Sequence, residues 1–411
     1  MNAHKFWEKM PRPPQVGPMR DGAFTSRLHD ERTAAVLGLA LGVSFTVCFV
    51  TGLYSHQLQH PASWFEAFPR PVGLYRFTQG LHVITGIASI PLLFAKLWTV
   101  FPKLFAWPPF KSLSEAVERA FLLPMIGGAL FLLFSGINNI NGRYPYGKFT
   151  FPAGHWYAAW ITIGSLIVHI AAKVGTTRRA LRRVATDTDG ESTAPQLGHS
   201  TPASGVSRRA FFATAFGASG VITLFTIGQT LRPFSKLALL APRRSDTGPQ
   251  GFPVNRTAAG AGVTNIDIGS YRMRVHGRGI ESQEFSYEDL LAMPQHTAEL
   301  PIACVEGWSS SQVWSGVSLR TLLAAAGLPE ATKVMVLSIP PEASASNPAP
   351  RRPNYGTSEL TSKLARDPDT LLALKVNGEV LHPDHGFPVR LIAPNRPGVL
   401  QTKWLNEIEV L

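Results

Sequence analysis

The sequence predicts a transmembrane α-helical bundle followed by a soluble mixed α+β, β-rich domain, and three observations predict it. Nearly all long apolar runs fall before residue 240. From about residue 266 the pattern changes to short alternating segments broken by Gly and Pro. Between the halves, Lys173 to Arg209 holds seven Lys or Arg against three acids. The hydrophobic content of 45 % looks ordinary because it averages two unlike halves.

Apolar runs of about twenty residues match a hydrocarbon core of roughly 30 Å. Four lie near residues 31–54, 77–100, 118–138 and 155–175, and a weaker fifth near 210–231. Residues 1–28 are polar and proline-rich, with no cleavable signal peptide, and read as a cytoplasmic N-terminal arm. The loop from Phe101 to Arg119 carries Lys103 and Lys111. That loop and the basic stretch after the fourth run belong on the cytoplasmic side by the positive-inside rule. The N-terminus is then inside and the C-terminal part outside.

The expected division is a cytoplasmic arm over 1–28 and a four-helix membrane domain over 29–175. Residues 176–206, rich in Ser, Thr, Gly and Ala, read as a flexible cytoplasmic linker. Residues 207–232 form the fifth span, 233–265 a linker outside the membrane, and 266–411 the soluble domain. In that domain, Tyr271 to Gly277 alternates as a half-buried strand does. Leu319 to Ala326 reads as a helix ended by Gly327, and Lys333 to Ile339 as another strand.

The charge of +12 is accounted for by the basic loops, and no aromatics interleave with those charges, so nucleic acid is not an expected partner. Cys48 lies inside an apolar run and Cys304 in the soluble half, which argues against a disulfide. Cys48 reads as a small packing residue. Cys304, unpaired in an exported domain, reads as a metal ligand.

Histidine placement gives the membrane half its chemistry. His155 and His169 are fourteen residues apart, so on a helix they return to within about 40° of each other, about 21 Å apart along the axis. One imidazole then lies near each leaflet. Intramembrane ionisable residues are functional candidates, and imidazole is an axial ligand of haem iron. By depth, His82 is level with His155 on the outer side, and His29 is level with His169 on the inner side. The alternative for His29, His82 and His155 is a plain interfacial histidine. His169 lies within Ile167-Val168-His169-Ile170, where an unliganded imidazole is costly. His56 and His60 read as solvated outer-loop residues. Residues 25–175, through these histidines and Thr51-Gly52-Leu53 closing the first span, resemble the cytochrome b subunits of membrane formate dehydrogenases and hydrogenases. The resemblance implies two b-type haems, held by His82 with His155 and by His29 with His169. A competing arrangement has one haem, on His82 and His155.

Ser207-Arg208-Arg209-Ala210-Phe211-Phe212, before the fifth span, resembles a twin-arginine export motif. The alternative is a basic pair that only obeys the positive-inside rule. The export route carries folded proteins and suits a domain that receives its cofactor in the cytoplasm.

The soluble half resembles the molybdopterin domain of sulfite oxidases. Tyr355-Gly356-Thr357-Ser358 resembles that family's active-site tyrosine segment, and Asp384-His385-Gly386-Phe387-Pro388-Val389-Arg390 its pterin-binding run. Lys403-Trp404-Leu405, ending in Ile408-Glu409-Val410, resembles its lysine–tryptophan–leucine segment. Cys304 corresponds to the cysteine that ligates molybdenum. Residue chemistry agrees: a thiolate is a soft anionic ligand for a high-valent metal, and Arg binds phosphate with paired hydrogen bonds. His385, Arg390 and Lys403 are the candidate donors to a phosphate-bearing pterin, and Tyr355 a donor to the transferred oxygen. For each residue alone, a structural role is the simpler reading: a turn cap for His385, a surface pair for Arg390, a core aromatic for Tyr355.

One departure affects the substrate. Sulfite oxidases follow the cysteine with Gly, Asn and Arg, whereas this chain has Cys304-Val305-Glu306-Gly307-Trp308-Ser309. The substrate-binding arginine is missing from the loop. Arg351 and Arg352 either replace it or are solvated. Trp308 favours a neutral or less polar oxo-substrate such as a sulfoxide.

Together these readings imply an oxidoreductase in the cytoplasmic membrane of a bacterium. It would carry molybdenum-molybdopterin and haem b, transfer an oxygen atom of a small substrate, and exchange electrons with quinone, quinol or another redox protein. The relation to methionine-sulfoxide reductase systems, which pair a molybdenum protein with a haem membrane protein, ranks reduction slightly ahead of oxidation. The alternative is a membrane-tethered binding or sensor module with an inactive molybdenum fold.

Overall fold

The computed structural model describes residues 7, 11, 14–20, 22–143, 145–146, 149–187, 206–328, 333–341 and 356–411. Two compact units divide the chain. Thr51–His82 belongs with Leu224–Leu411, and the residues up to Val50 belong with Val83–Thr223.

Five helices are long and apolar enough to cross a membrane: α1 (Glu31–Gln59), α2 (Leu74–Leu104), α3 (Leu113–Ile140), α4 (Phe151–Asp187) and α5 (Arg208–Ile227). The first four expected runs are helical throughout, and the fifth, expected to residue 231, is helical to Ile227. Four helices extend well beyond their apolar runs, because hydropathy marks the lipid-facing length and not the hydrogen-bonded length. The largest excess is at α4, which continues to Asp187, into the stretch expected to be flexible linker. Its extension, Thr176–Asp187, is rich in Ala and Arg, both strong helix formers. α3 begins at an N-cap, Ser112, whose Oγ accepts from Glu115 N. In this unit Leu37, Leu41, Leu92, Leu93, Ala129 and Ala215 form one buried cluster. Leu39, Val43, Leu123 and Ile167 point outward, as lipid contact requires. Lys96 Nζ, in mid-helix, donates to the Ala34 carbonyl at 2.5 Å. Gly38 admits it: a Cβ there would lie 3.2 Å from Nζ.

The other unit holds two five-stranded sheets. The strands and helices in chain order are β1 (Arg272–Gly277), β2 (Ile280–Ser286), α6 (Tyr287–Ala292), β3 (Gln295–Ala303), β4 (Ser309–Ser318) and α7 (Leu319–Ala325). There follow β5 (Val334–Ser338), β6 (Thr357–Leu360), α8 (Ser362–Arg366), β7 (Leu371–Val376), β8 (Glu379–Val380), β9 (Arg390–Ile392) and β10 (Leu405–Val410). One sheet has the order β2-β1-β10-β5-β6, with β1 and β10 parallel. The other runs β8-β7-β4-β3, with β9 also paired to β7.

Alternation decides which face of each strand is buried. In β1, Met273 and Val275 are fully buried while Arg272 and Arg274 are exposed. Ser286 and Asp289 form a capping box that starts α6. α7 is capped by Ser318, and Gly327, two residues past its end, has the positive φ that expels the chain from the helix. The buried cluster of this unit includes Leu290, Leu319, Leu322, Val336, Leu391 and Ile408.

The segment Thr51–His82 is fastened to this unit mainly by Asn395. Its Oδ1 accepts from Tyr75 N at 2.8 Å, satisfying an N–H in the first turn of α2. Its Nδ2 donates to the Phe68 carbonyl at 2.9 Å and to Tyr54 Oη at 3.0 Å. Asn395 itself has φ +50, a conformation that Asn tolerates better than most residues. Asn395→Ala leaves buried Tyr75 N and Phe68 O unpaired and is expected to cost about 3 kcal/mol. A thermal-unfolding midpoint of the purified full chain that does not move would show that this segment is held by something else.

Candidate active site

Cys304 sits directly after β3, in a turn closed by two backbone bonds. Its N–H donates to Trp308 O at 2.9 Å, and Gly307 N donates to Cys304 O at 3.0 Å. Gly307 has φ +96, which only Gly adopts at little cost. The turn is clamped from outside. Thr230 Oγ1 donates to Gly307 O at 2.7 Å, Ser309 Oγ donates to Thr230 O at 3.0 Å, and Gln79 Nε2 donates to Val305 O at 3.2 Å.

Cys304 opens onto a narrow cleft lined by Ile302, Trp308, Arg390, Gly398 and Lys403 among others. Three residues expected from sequence, Cys304, Arg390 and Lys403, therefore converge. Gly386 makes this possible. It has φ +109, and a Cβ there would lie 3.1 Å from Lys403 Cβ and 3.2 Å from Arg390 Cβ.

The electrostatics are one-sided. Arg390 is 3 % exposed, donates to His385 O at 3.2 Å, and lies over the Trp314 ring. Its buried Nε has no hydrogen-bond partner. Lys403 Nζ donates to the Asp384 and Arg256 carbonyls, at 2.7 and 2.9 Å. Neither cation has an ion-pair partner among the described residues. Burial pushes Arg390 down to about 9, and burial with the Arg390 charge holds Lys403 well below the usual lysine range. Burial, then the Glu306 carboxylate, pushes the Cys304 thiol up.

His385 does not line the cleft. Its ring stacks on Phe252 at 3.7 Å, Nε2 donates to Pro249 O at 2.8 Å, and buried Nδ1 has no partner. Burial, with the Arg390 charge second, pushes it down to about 3.

Sequence reasoning missed Glu306 and its role. It is 2 % exposed, ion-paired with Arg243, and accepts from Trp308 Nε1 at 3.1 Å. A buried acid two residues after a cysteine offered no signal of its partner, 63 residues earlier. Tyr355, Arg351 and Arg352 lie outside the described residues.

A phosphate-bearing, anionic cofactor fits this set. Two desolvated cations and an orphaned guanidinium nitrogen need an anion, and one thiol points at the same space. No group of three or more His, Cys, Asp or Glu comes together among the described residues. A metal here would take one protein ligand, Cys304, and the rest from the organic part of its cofactor.

Each haem-ligand candidate is placed within its own unit. His29 precedes α1, with Nδ1 3.0 Å from Thr99 O and its ring 4.5 Å from that of Trp98. His82 Nδ1 lies 3.2 Å from Thr51 Oγ1, and a Cβ on Gly52 would lie 3.1 Å from His82 Cε1. Thr51 and Gly52 sit inside α1, which continues to Gln59, and receive the His82 ring. His56 is in the last turn of α1 and not in a loop, its ring 4.9 Å from that of His60. His155 Nδ1 is 2.9 Å from Ser135 Oγ. An oxygen on Nδ1 orients an imidazole and directs Nε2 toward a metal, the usual outer-shell arrangement at metal-bound histidines. His169 differs: its Nδ1 is 3.8 Å from Glu118 Oε1, and Lys173 Nζ is 2.9 Å from Glu118 Oε2. That acid at a helix-buried position was also missed in the sequence.

Residues 260–411 match the family described as Oxidoreductase molybdopterin binding domain. The chain is 45 % identical over 106 residues to nitrate reductase [NADH] 1 of Phaseolus vulgaris, covering 25 % of this chain and 12 % of that protein. It is 28 % identical over 176 residues to the "Putative protein-methionine-sulfoxide reductase subunit YedZ1" of Azospira oryzae. That match covers 43 % of this chain, in its helical part, and 62 % of the relative. The sulfane dehydrogenase SoxCD from Paracoccus pantotrophus is similar at 26 % identity, over 37 % of this chain and 40 % of that one, with a TM-score of 0.31. The chain thus spans only part of the length of each curated relative. Its C-terminal part is a molybdopterin-binding oxidoreductase domain, joined to five helices able to cross a membrane.

Two measurements on cofactor-free protein test the charge argument. Arg390→Met removes a desolvated, unpaired cation, so the unfolding midpoint should rise while pterin uptake on reconstitution falls. An unchanged midpoint would mean that the charge is already balanced. For His385, a folded value near 3 against an ordinary 6.5 favours the neutral ring. Its contribution is complete above pH 6.5 and is lost as pH falls toward 3. The difference in midpoint between wild type and His385→Gln should therefore shrink across that window; a constant difference refutes the assignment.

Proposed function

We propose that this protein is a membrane-bound molybdenum-dependent oxidoreductase that removes an oxygen atom from a small neutral substrate, a sulfoxide first among them. The observation that carries the reading is the convergence of Cys304, Arg390 and Lys403 on one cleft, with neither cation in an ion pair among the described residues. The molybdenum–pterin group, when bound, supplies two-electron oxygen-atom chemistry. Cys304 Sγ holds the metal, and Arg390 and Lys403 hold the anionic pterin. His385, stacked on Phe252, fixes the turn that presents Arg390 through its carbonyl. Tyr355 donates a hydrogen bond to the departing oxygen, and the Trp308 ring walls the substrate space.

The overall reaction takes two electrons and two protons from a quinol; the sulfoxide oxygen leaves as water, giving sulfide and quinone. A b-type haem, when bound, would relay electrons, and His82, His155, His29 and His169 would hold it. The oxygens on Nδ1 of His82, His155 and His29 support that role. The chain sits in the cytoplasmic membrane of a bacterium with its N-terminus inside. The molybdenum domain is outside, exported by the twin-arginine route through Ser207-Arg208-Arg209. The methionine-sulfoxide reductase name of the YedZ1 relative supports a sulfoxide substrate and the reducing direction.

Purified protein should contain about one molybdenum per chain and show bis-histidine haem b spectra. Cys304→Ser should lose molybdenum and keep the haem bands, and His29→Ala should lose one of two haems. With sulfite, sulfoxides and N-oxides offered to the reduced protein, sulfoxides should oxidise the haem bands fastest. A fully folded wild type that takes up no molybdenum would instead support a binding or sensor module.

A further inference from the structure

Residues 76, 79 and 82 form an i, i+3 stripe on α2 whose side chains are neighbours on the helix; Gln79 meets the cysteine turn, Arg76 the start of β4, and His82 faces Thr51. Arg76 NH1 donates to Ser311 Oγ at 2.7 Å, at the start of β4. Gln79, 6 % exposed, donates from Nε2 to Val305 O at 3.2 Å, on the residue that follows Cys304. His82 is held through Thr51. Next to this stripe, Gly80 lets the turn come close: a Cβ there would lie 2.9 Å from Thr230 Cγ2, and Thr230 in turn holds Gly307 O. Contact this tight, between a helix and a tight turn, fixes distance as well as orientation.

Resting on the proposed function, we infer that Gln79 is the positioning residue that joins the two redox centres. Gln79 and His82 are three residues apart, about 4.5 Å of helix rise. One hydrogen bond and one turn of α2 therefore connect the residue beside the molybdenum thiolate to a haem ligand. The same bond locks the Cys304 turn against the helix, so the metal and the His82 imidazole keep one separation during turnover. The two electrons of each reaction cross this contact one at a time. Gln79 touches neither substrate nor cofactor; it acts through Val305.

The variant Gln79→Met keeps side-chain length and removes the N–H donor. Gln79→Glu keeps the shape and also lacks the donor at neutral pH. Both are made in the full-length chain. The expected result is unchanged molybdenum and haem content, and turnover with a soluble viologen donor within about two-fold of wild type. Haem oxidation on mixing reduced protein with a sulfoxide should slow about ten-fold or more, since small misplacements of reacting groups cost that much. Independently of loading, amide hydrogen exchange at Val305, Glu306 and Gly307 should accelerate in cofactor-free variants. Wild-type haem oxidation and wild-type exchange in both variants overturn the role of Gln79. If viologen turnover falls as far as haem oxidation, Gln79 supports the molybdenum site only and the joining role is overturned. A wild type that binds no haem overturns the proposed function, while the exchange experiment still reads the Gln79–Val305 bond.

Discussion

Two desolvated cations with no ion-pair partner among the described residues govern the soluble half. Arg390 and Lys403 line the cleft at Cys304 and are held by carbonyl oxygens and an aromatic face, with the Asp384 carboxylate adding a favourable charge at Lys403. A buried charge that lacks a partner is strongly unfavourable, and a fold that retains two of them is built around an anion it expects to hold. Other features of the site follow from this. Gly386 has no side chain because the Cα–Cβ bonds of both cations crowd it. His385 stays neutral chiefly because it is buried, and the Arg390 charge adds to the effect. Burial keeps the Cys304 thiol protonated, and a bound metal cation would replace that proton.

The second constraint is the grip of the soluble fold on the segment Thr51–His82. Ordinary loops between helices are tethered only at their ends. This one is tied at Phe68 and Tyr75 by Asn395, at Arg70 by Asp367, and at Gln79 by Val305. Arg70 NH2 lies 3.0 Å from Asp367 Oδ1 and 2.5 Å from Asp369 Oδ2, a forked contact that resists rotation better than a single pair. The result is a piece of the helical hairpin that belongs to the oxidoreductase domain by its contacts.

The bundle and the β-rich half were legible because each depends on local pattern. Apolar run length marked five helices, and period-two alternation marked β1 and β5. Helix ends were not legible, since α1 and α4 run beyond the apolar stretch in sequence that is polar yet helix-favouring. At the site, Cys304, Arg390 and Lys403 could be found because each belongs to an ordered local motif. Gln79, Asn395 and Glu306 could not. Their partners lie 226, 320 and 63 residues away, and a single Gln, Asn or Glu gives no local sign of what it will meet. Thr51 and Gly52 stood out as the close of the first apolar run, and their contact with the His82 ring was not legible in the sequence.

Charge accounting at the cysteine turn bears on the kind of substrate. An anionic substrate such as sulfite needs a cation beyond those that hold the pterin phosphate. In this turn the position expected to be basic is taken by Val305-Glu306-Gly307-Trp308, and Glu306 is buried. Arg243 lies beside the turn, but its charge is matched by the Glu306 carboxylate, so the pair offers an incoming anion little net attraction. Trp308 is held by the same carboxylate, which turns its indole N–H away from the role of substrate donor and leaves an aromatic wall on the cleft. In the proposed reading Arg390 and Lys403 hold the cofactor. Among the described residues, what remains is a space with one apolar wall and no surplus positive charge, in which an anion would lose its hydration without replacement. A neutral molecule with a polarised oxygen loses less on entering, and that difference favours a sulfoxide over sulfite.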